Sequence, residues 1–199
     1  MNKELQFALK RLFDVLGAIG GLVVLFPVLI LISVLIKLDS PGPVFFLQQR
    51  LGRRGQPFQI IKFRTMVVNA ERMGAGLRVT TDEDPRITKV GKILRSTSLD
   101  ELPQLINVLK GDMSLVGPRP PVTYHPYDGY DNYPELAKKR FQVRPGLTGL
   151  AQVTVRNSAT WDERIKIDVD YVEGFCLWGD VKILVRTAQR VFSRESIYT

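Results

Sequence analysis

The stretch RSTSLDELPQL, residues 95–105, sets two carboxylates side by side, Asp100 and Glu101. Ser98 stands before them and Pro103 after. One reading is structural: Ser98 as the N-cap of a helix, with Glu101 reaching back to it, makes a capping box. The other is chemical. A carboxylate at a helix N-terminus meets free N–H groups and the positive end of the dipole, which favours its ionised form. An ionised carboxylate is a competent nucleophile toward phosphorus. Two neighbouring carboxylates also suit Mg²⁺, which usually takes one or two protein carboxylates together with substrate phosphates. The stretch by itself leaves both readings open.

Phosphate chemistry also needs cations, and Lys62, Arg95, Arg119 and Arg156 are the candidate clamps. Lys62 lies in PFQIIKFRTM, where strand alternation puts Ile60, Lys62 and Arg64 on one face and Ile61 and Phe63 on the other. A solvated strand face is the simpler account of that Lys62–Arg64 pair. Arg119 sits in VGPRPP, which cannot be regular helix or central strand and holds the arginine on a stiff extended backbone. His125 is the only histidine, and no nucleophile motif accompanies it. Cys176 is the only cysteine, so an intramolecular disulfide and a multi-cysteine zinc site are both excluded. Its apolar neighbours Phe175, Leu177 and Trp178 make it read as a small core or interface residue.

These residues need a framework. The 199-residue chain suffices for one domain with an appendage, and 45% hydrophobic content supports a packed core. Its net charge of +8 favours an anionic partner, whether nucleic acid, a phosphorylated substrate or an acidic membrane surface. A nucleic-acid module would carry a basic stripe with interleaved aromatics, and none is visible. Asp100 and Glu101 would moreover repel a nucleic-acid backbone.

Residues 15–36 form an uncharged run of 22 residues, VLGAIGGLVVLFPVLILISVLI. As a straight helix it would be about 33 Å long, enough to cross a bilayer core. Pro27 removes one backbone hydrogen bond and should kink or break that helix. Basic residues flank both ends: Lys3, Lys10 and Arg11 before, Lys37, Arg50, Arg53 and Arg54 after. Basic flanks prefer the cytoplasmic side. A helix that enters, breaks at Pro27 and returns satisfies both ends; a straight span satisfies one. Both remain open at this level. ELQFALKRLFDVLGAIGG ahead of the run reads as an amphipathic approach.

DSPGP, residues 39–43, marks the boundary of the membrane segment. PVFFLQQR and PFQIIKFRTM bracket LGRRGQ and predict a β-hairpin. DPRITKVGKILRS predicts a helix starting near Asp84 and Pro85, and QLINVLKGD another, stopped by Gly111. Residues 124–133 read as loop, RPGLTG as a turn, and LAQVTV as a short strand. ATWDERIKIDVDYVEGF and DVKILVRTAQRVFSR read as helices. The last has Val181, Leu184, Val185, Ala188 and Phe192 on one side and Lys182, Arg186, Arg190 and Arg194 on the other. That basic side is either a solvated face or an attraction to anionic lipid of about 1 kcal/mol per charge.

Four blocks, KFRTM (62–66), LRSTSLDELPQLINVLKGDMSLVGPRP (94–120), VRPGLTGLAQV (143–153) and RNSATWDERIKIDVDYV (156–172), together resemble the bacterial sugar transferases, the monotopic phosphoglycosyl transferases. The likeness covers nearly the whole chain and looks like the minimal catalytic form. It implies an α+β, membrane-associated fold: a re-entrant N-terminal helix (1–38) broken at Pro27, and a compact, mainly helical cytoplasmic domain (39–199) with a small β-hairpin. It implies transfer of a sugar phosphate from a UDP-sugar to undecaprenyl phosphate, releasing UMP, by a Mg²⁺-dependent ping-pong reaction. Carried over, Asp100 is the nucleophile that forms an aspartyl phosphosugar, and Glu101 joins it in holding Mg²⁺. Lys62, Arg95, Arg119 and Arg156 bind substrate phosphates, and Asp168 matches a further acidic position. The resemblance places the chain at the bacterial inner membrane, facing the cytoplasm, with inner-membrane lipid but no nucleic acid as partner; a homodimer is left open. One departure stands out: relatives often carry Ser before the helix-breaking proline, where this chain has Phe26. The rivals are a scaffold of the same fold and a hydrolase that uses water as acceptor.

Overall fold

A computed structural model of the chain describes residues 3–73, 84–155 and 159–192. Helix α1 runs Lys3–Asp39 and contains Pro27. The break expected there is not a helix end: the helix continues through it, because loss of the single bond from residue 27 to the Val23 carbonyl leaves the bonds on either side in place. Its buried positions follow one stripe, Lys10, Asp14 and Ala18 in the first half and Ile32 and Ile36 in the second. Both halves therefore pack on the same body. Between them, Val23, Val24 and Phe26 are 60–75% exposed. The helix is long and apolar enough to cross a membrane.

The end of α1 is held by side chains. Asp39 accepts from the Val90 amide at 2.9 Å, and Arg64 donates to the carbonyls of Ser40 at 2.7 Å and Pro41 at 3.0 Å. This corrects the solvated-face reading of the Lys62–Arg64 pair, since Arg64 is buried where it covers the carbonyl end of a helix. Gly42 follows with φ +123°, and a Cβ there would lie 2.1 Å from the Arg64 guanidinium.

The predicted hairpin forms from β1 (Phe45–Leu51) and β2 (Pro57–Phe63), antiparallel, with Phe45 opposite Phe63 and Leu51 opposite Pro57. Helix α2 (Lys89–Ser96) packs against α1, and helix α3 (Gln104–Lys110) packs between β2 and α1. Asn107 of α3 is fully buried. Its side-chain amide accepts from Ile61 N–H at 3.0 Å and donates to Gln59 C=O at 2.7 Å, as a third strand would. Helix α2 starts later than the sequence suggested. Thr88 caps it, while Asp84 is engaged by Arg86 at 2.6 Å.

A second sheet was not foreseen. Strands β3 (Ser114–Val116) and β4 (Gly146–Thr148) pair in parallel, so RPGLTG is a turn leading into a strand. Glycine is required where they meet, because a Cβ on Gly146 would lie 2.1 Å from the Gly117 nitrogen. Short helices α4 (Glu135–Lys138) and α5 (Leu150–Thr154) follow, then α6 (Trp161–Glu173) and α7 (Leu177–Phe192). LAQVTV is thus helix α5 rather than strand. Residues 124–133 are irregular, as expected. On α7 the expected apolar side faces outward: Asp180 and Ile183 are buried, while Val181, Leu184 and Val185 are exposed.

Candidate active site

The acidic pair lies between α2 and α3. Ser98 adopts a left-handed conformation (φ 56°, ψ 16°) and caps nothing; a single 3₁₀ turn, Leu99–Glu101, follows. The capping box is therefore not formed. The reversal at Ser98 instead turns both carboxylates toward β2 and the Pro-Arg-Pro loop. Glu101 Oε1 accepts from Lys62 Nζ at 2.7 Å and from Arg119 Nη2 at 2.9 Å. Burial alone would raise the Glu101 carboxyl, but the charges and hydrogen bonds of Arg119 and Lys62 outweigh it and hold it well below the usual carboxylate range. Asp100 is the opposite case. Burial pushes it up to about 6, with Glu101 adding to the rise and Lys62, Arg95 and Arg119 opposing it. At neutral pH the balance favours the ionised form of both carboxylates, more strongly for Glu101 than for Asp100. Among the described residues, no hydrogen-bond donor engages Asp100, so its lone pairs are available.

The loop that carries Arg119 is held in an unusual way. Pro118, Pro120 and Pro121 have no N–H to give, so the loop is fixed through its carbonyls by donors from elsewhere. Pro118 accepts from Gly146 N at 3.0 Å, Pro120 from Arg50 at 3.1 Å and Pro121 from Leu51 N at 3.0 Å. The Arg119 carbonyl accepts from Arg140 Nη2 at 2.9 Å. Just upstream, Val116 C=O accepts from Lys10 of α1 at 2.9 Å and from the Tyr171 hydroxyl at 3.3 Å. Lys10 is itself paired with buried Asp180 at 2.6 Å.

Asp168 is part of this support. It is buried and bonded to Arg140 at 2.6 Å. Burial raises its carboxyl above the usual range, against the lowering pull of Arg140. Asp168 thus sits at the cavity wall and is linked through Arg140 to the backbone of Arg119.

A cavity of about 580 Å³ opens over the pair. Lys62, Arg95, Asp100, Glu101 and Arg119 line one side, Trp161, Arg164 and Asp168 of α6 another, and residues of β4, α5 and α7 the rest. A cation-lined cavity with an uncommitted carboxylate suits attack on a phosphorus centre.

A family model described as bacterial sugar transferase matches residues 5–194. The chain belongs to the bacterial sugar transferase family. It is 45% identical over 192 residues to the galactosyl transferase CpsE of Streptococcus agalactiae, covering 92% of this chain and 42% of that protein. It is 45% identical over 194 residues to a UDP-glucose:undecaprenyl-phosphate glucose-1-phosphate transferase of Caulobacter vibrioides, covering 95% and 72%. A UDP-N-acetylgalactosamine-undecaprenyl-phosphate N-acetylgalactosaminephosphotransferase of Aeromonas hydrophila is 44% identical, covering 93% and 44%. The chain thus spans less than half the length of two of these relatives.

The structure brings Lys62, Arg95, Arg119, Asp100 and Glu101 to one cavity. Arg156 lies outside the described residues. His125 packs edge-on against Trp161 at 5.4 Å, and Cys176 is exposed, not in the core. Sequence reasoning missed Arg140, Arg164 and Trp161. Arg140 sits in the charged run AKKRF, which carries no local signal of burial. Trp161, Arg164 and Asp168 recur at helical spacing, a one-face signal that was legible. Among the described residues, no three His, Cys, Asp or Glu side chains converge to hold a metal. Mg²⁺ needs only one or two carboxylates when substrate phosphates complete its shell, so the donor set of Asp100 and Glu101 fits it.

Proposed function

We propose that this chain transfers a sugar phosphate from a UDP-sugar to undecaprenyl phosphate and releases UMP, in two steps through Asp100. The observation that carries the reading is the division of labour in the pair: Glu101 is clamped by two cations while Asp100, one residue away, is ionised and uncommitted in the same cavity. The names of the Caulobacter and Aeromonas relatives support the substrate class.

In the first step an Asp100 oxygen attacks the phosphorus that bears the sugar. The bond from that phosphorus to the bridging oxygen breaks, and UMP leaves with the electron pair. Lys62, Arg95 and Arg119 orient the donor's phosphates and offset charge that builds on the phosphoryl oxygens. In the second step an oxygen of the lipid phosphate attacks the same phosphorus, and Asp100 departs as a carboxylate. Asp100 and Glu101 would hold Mg²⁺, which supplies charge neutralisation for the phosphates when bound. Splitting the transfer means that the two substrates need not be held together.

The anchor fits this chemistry. Phe7 near the start of α1 stacks on Phe175, and Asp39 at its end bonds Val90, both on the same body. A helix with both ends docked on one body keeps both on one side of a bilayer. This supports a re-entrant α1 whose exposed stretch around Phe26 and Pro27 enters the inner leaflet, with the site on the cytoplasmic face of the inner membrane. The sites of a soluble sugar nucleotide and of a lipid phosphate then lie at one height.

The test is one assay: protein in detergent with undecaprenyl phosphate, Mg²⁺ and a panel of UDP-glucose, UDP-galactose and their N-acetyl analogues, with UMP measured. Turnover that depends on the lipid is expected, with a hexose-phosphate adduct on Asp100 when lipid is withheld. UMP release sustained without lipid identifies a hydrolase instead.

A further inference from the structure

Away from the acidic pair, the cavity has two walls of different chemistry, and α5 packs against the helices of both. The α6 wall is aromatic and cationic: the Arg164 guanidinium lies over the Trp161 ring at 5.8 Å, and His125 packs T-shaped against that ring. The other wall is apolar. Leu147, Ala151, Leu184 and Val191 line it, with Thr187 and Arg190 among them. Arg190 is anchored to the Gln152 carbonyl at 3.1 Å, which keeps its cation at this wall.

The apolar wall also has an outside. Leu184 and Val191 belong to a face of α7 that continues over Trp178, Val181 and Val185, and Trp178 is 66% exposed. Lys182 and Arg186 are exposed beside that face. An amphipathic helix with aromatic and apolar residues on one side and cations flanking them lies in a membrane interface. The face is thus continuous from the bilayer surface into the cavity, with Arg190 near its inner end. A sugar nucleotide has no long hydrocarbon part to cover such a wall. An amphiphile with a phosphate head does, and the charges complement it.

We infer that the α7 wall seats the acceptor, an isoprenoid phosphate. Its tail follows the outer face of α7, and its phosphate passes Arg190 on the way to the phosphorus carried by Asp100. The α6 wall is left to the sugar nucleotide. The inference rests on the transferase reading proposed above. In the acceptor step, a phosphate oxygen of the lipid bonds to the phosphorus on Asp100, the bond from that phosphorus to Asp100 breaks, and the carboxylate keeps the electron pair.

The test uses the full chain in nanodiscs, with Arg190→Gln and Leu184→Gln, each checked for an unchanged melting temperature. Expected is a rise of about tenfold or more in KM for undecaprenyl phosphate with KM for the UDP-sugar within about twofold of wild type. Equal rises in both KM values overturn the inference. So does an unchanged acceptor KM with weaker binding to phosphatidylglycerol vesicles, which makes α7 a membrane contact only. A photoreactive polyprenyl phosphate gives an independent readout: label mapped to residues 177–192 supports the seat, and label confined to α1 overturns it. Loss of the transferase reading would be seen separately, as wild-type protein that releases no UMP in response to lipid.

Discussion

Glu101 and Arg119 meet through one oxygen, Oε1, which also accepts from Lys62, so two cations converge on a single carboxylate oxygen at 2.7 and 2.9 Å. Such an oxygen is a poor nucleophile and a good anchor. Asp100→Asn is expected to abolish adduct formation, by at least about 1000-fold, because the amide has no anionic lone pair. Glu101→Gln releases its cations and slows the reaction, yet any adduct that forms still maps to residue 100. Peptide mass mapping after a donor-only reaction separates the two roles.

Arg119→Ala removes a cation from the phosphate side of the cavity and the partner of Glu101 together. A loss of about 100-fold in UMP release is expected, in line with removing one preorganised donor to developing charge. Arg119→Lys keeps the charge but not the planar fork, and recovers only part of the rate.

The pH dependence follows from Asp100. Burial pushes its carboxyl up to about 6, and attack needs the ionised form. Single-turnover UMP release without acceptor should therefore fall as pH drops through about 6, by about tenfold per unit below it. Glu101, held well below the ordinary range by its cations, adds no second limb near neutrality. A profile that stays flat from pH 7 to 5 would show that no raised carboxyl limits the attack, and adduct mapping alone would then assign the nucleophile.

Arg140 and Asp168 form a buried pair behind the Arg119 backbone. Asp168→Asn leaves Arg140 without its counter-charge and should destabilise the fold by roughly 3–5 kcal/mol. The double substitution Arg140→Met with Asp168→Leu removes both charges and should recover much of the melting temperature. It should not recover the rate, because the Arg119 carbonyl still lacks its donor. Stability that returns without activity identifies the pair as positioning Arg119.

For α1, cysteines at positions 3 and 40 in a Cys176→Ser background should both react with a membrane-impermeant thiol reagent from the cytoplasmic side only. Labelling from opposite sides would mean a spanning helix.

Much of this architecture was legible from residue patterns. The hairpin was announced by two β-rich runs around a glycine-containing loop, and α6 and α7 by length and periodicity. What stayed hidden was long-range. The three-residue strands β3 and β4 pair across about 30 intervening positions through glycine contacts that no local pattern reveals. LAQVTV has β-branched residues, but Gly149 ahead of it and packing against α6 and α7 make it helix. The capping box failed because Ser98 left the extended region that an N-cap needs. Asp100 and Glu101 were visible as a pair, but nothing in their order said which would be clamped and which left open; that follows from where β2 and the Pro-Arg-Pro loop place Lys62 and Arg119.

Both ends of α1 rest on the catalytic body, and this has a bearing on bilayer thickness. A tether that crossed the whole membrane would tilt or shift whenever the lipid composition made the hydrocarbon layer thicker or thinner. A segment dipping into one leaflet is indifferent to the far side. The proposed geometry thus works as a gauge against the near surface alone, keeping the reacting phosphorus at a constant elevation in membranes of different width.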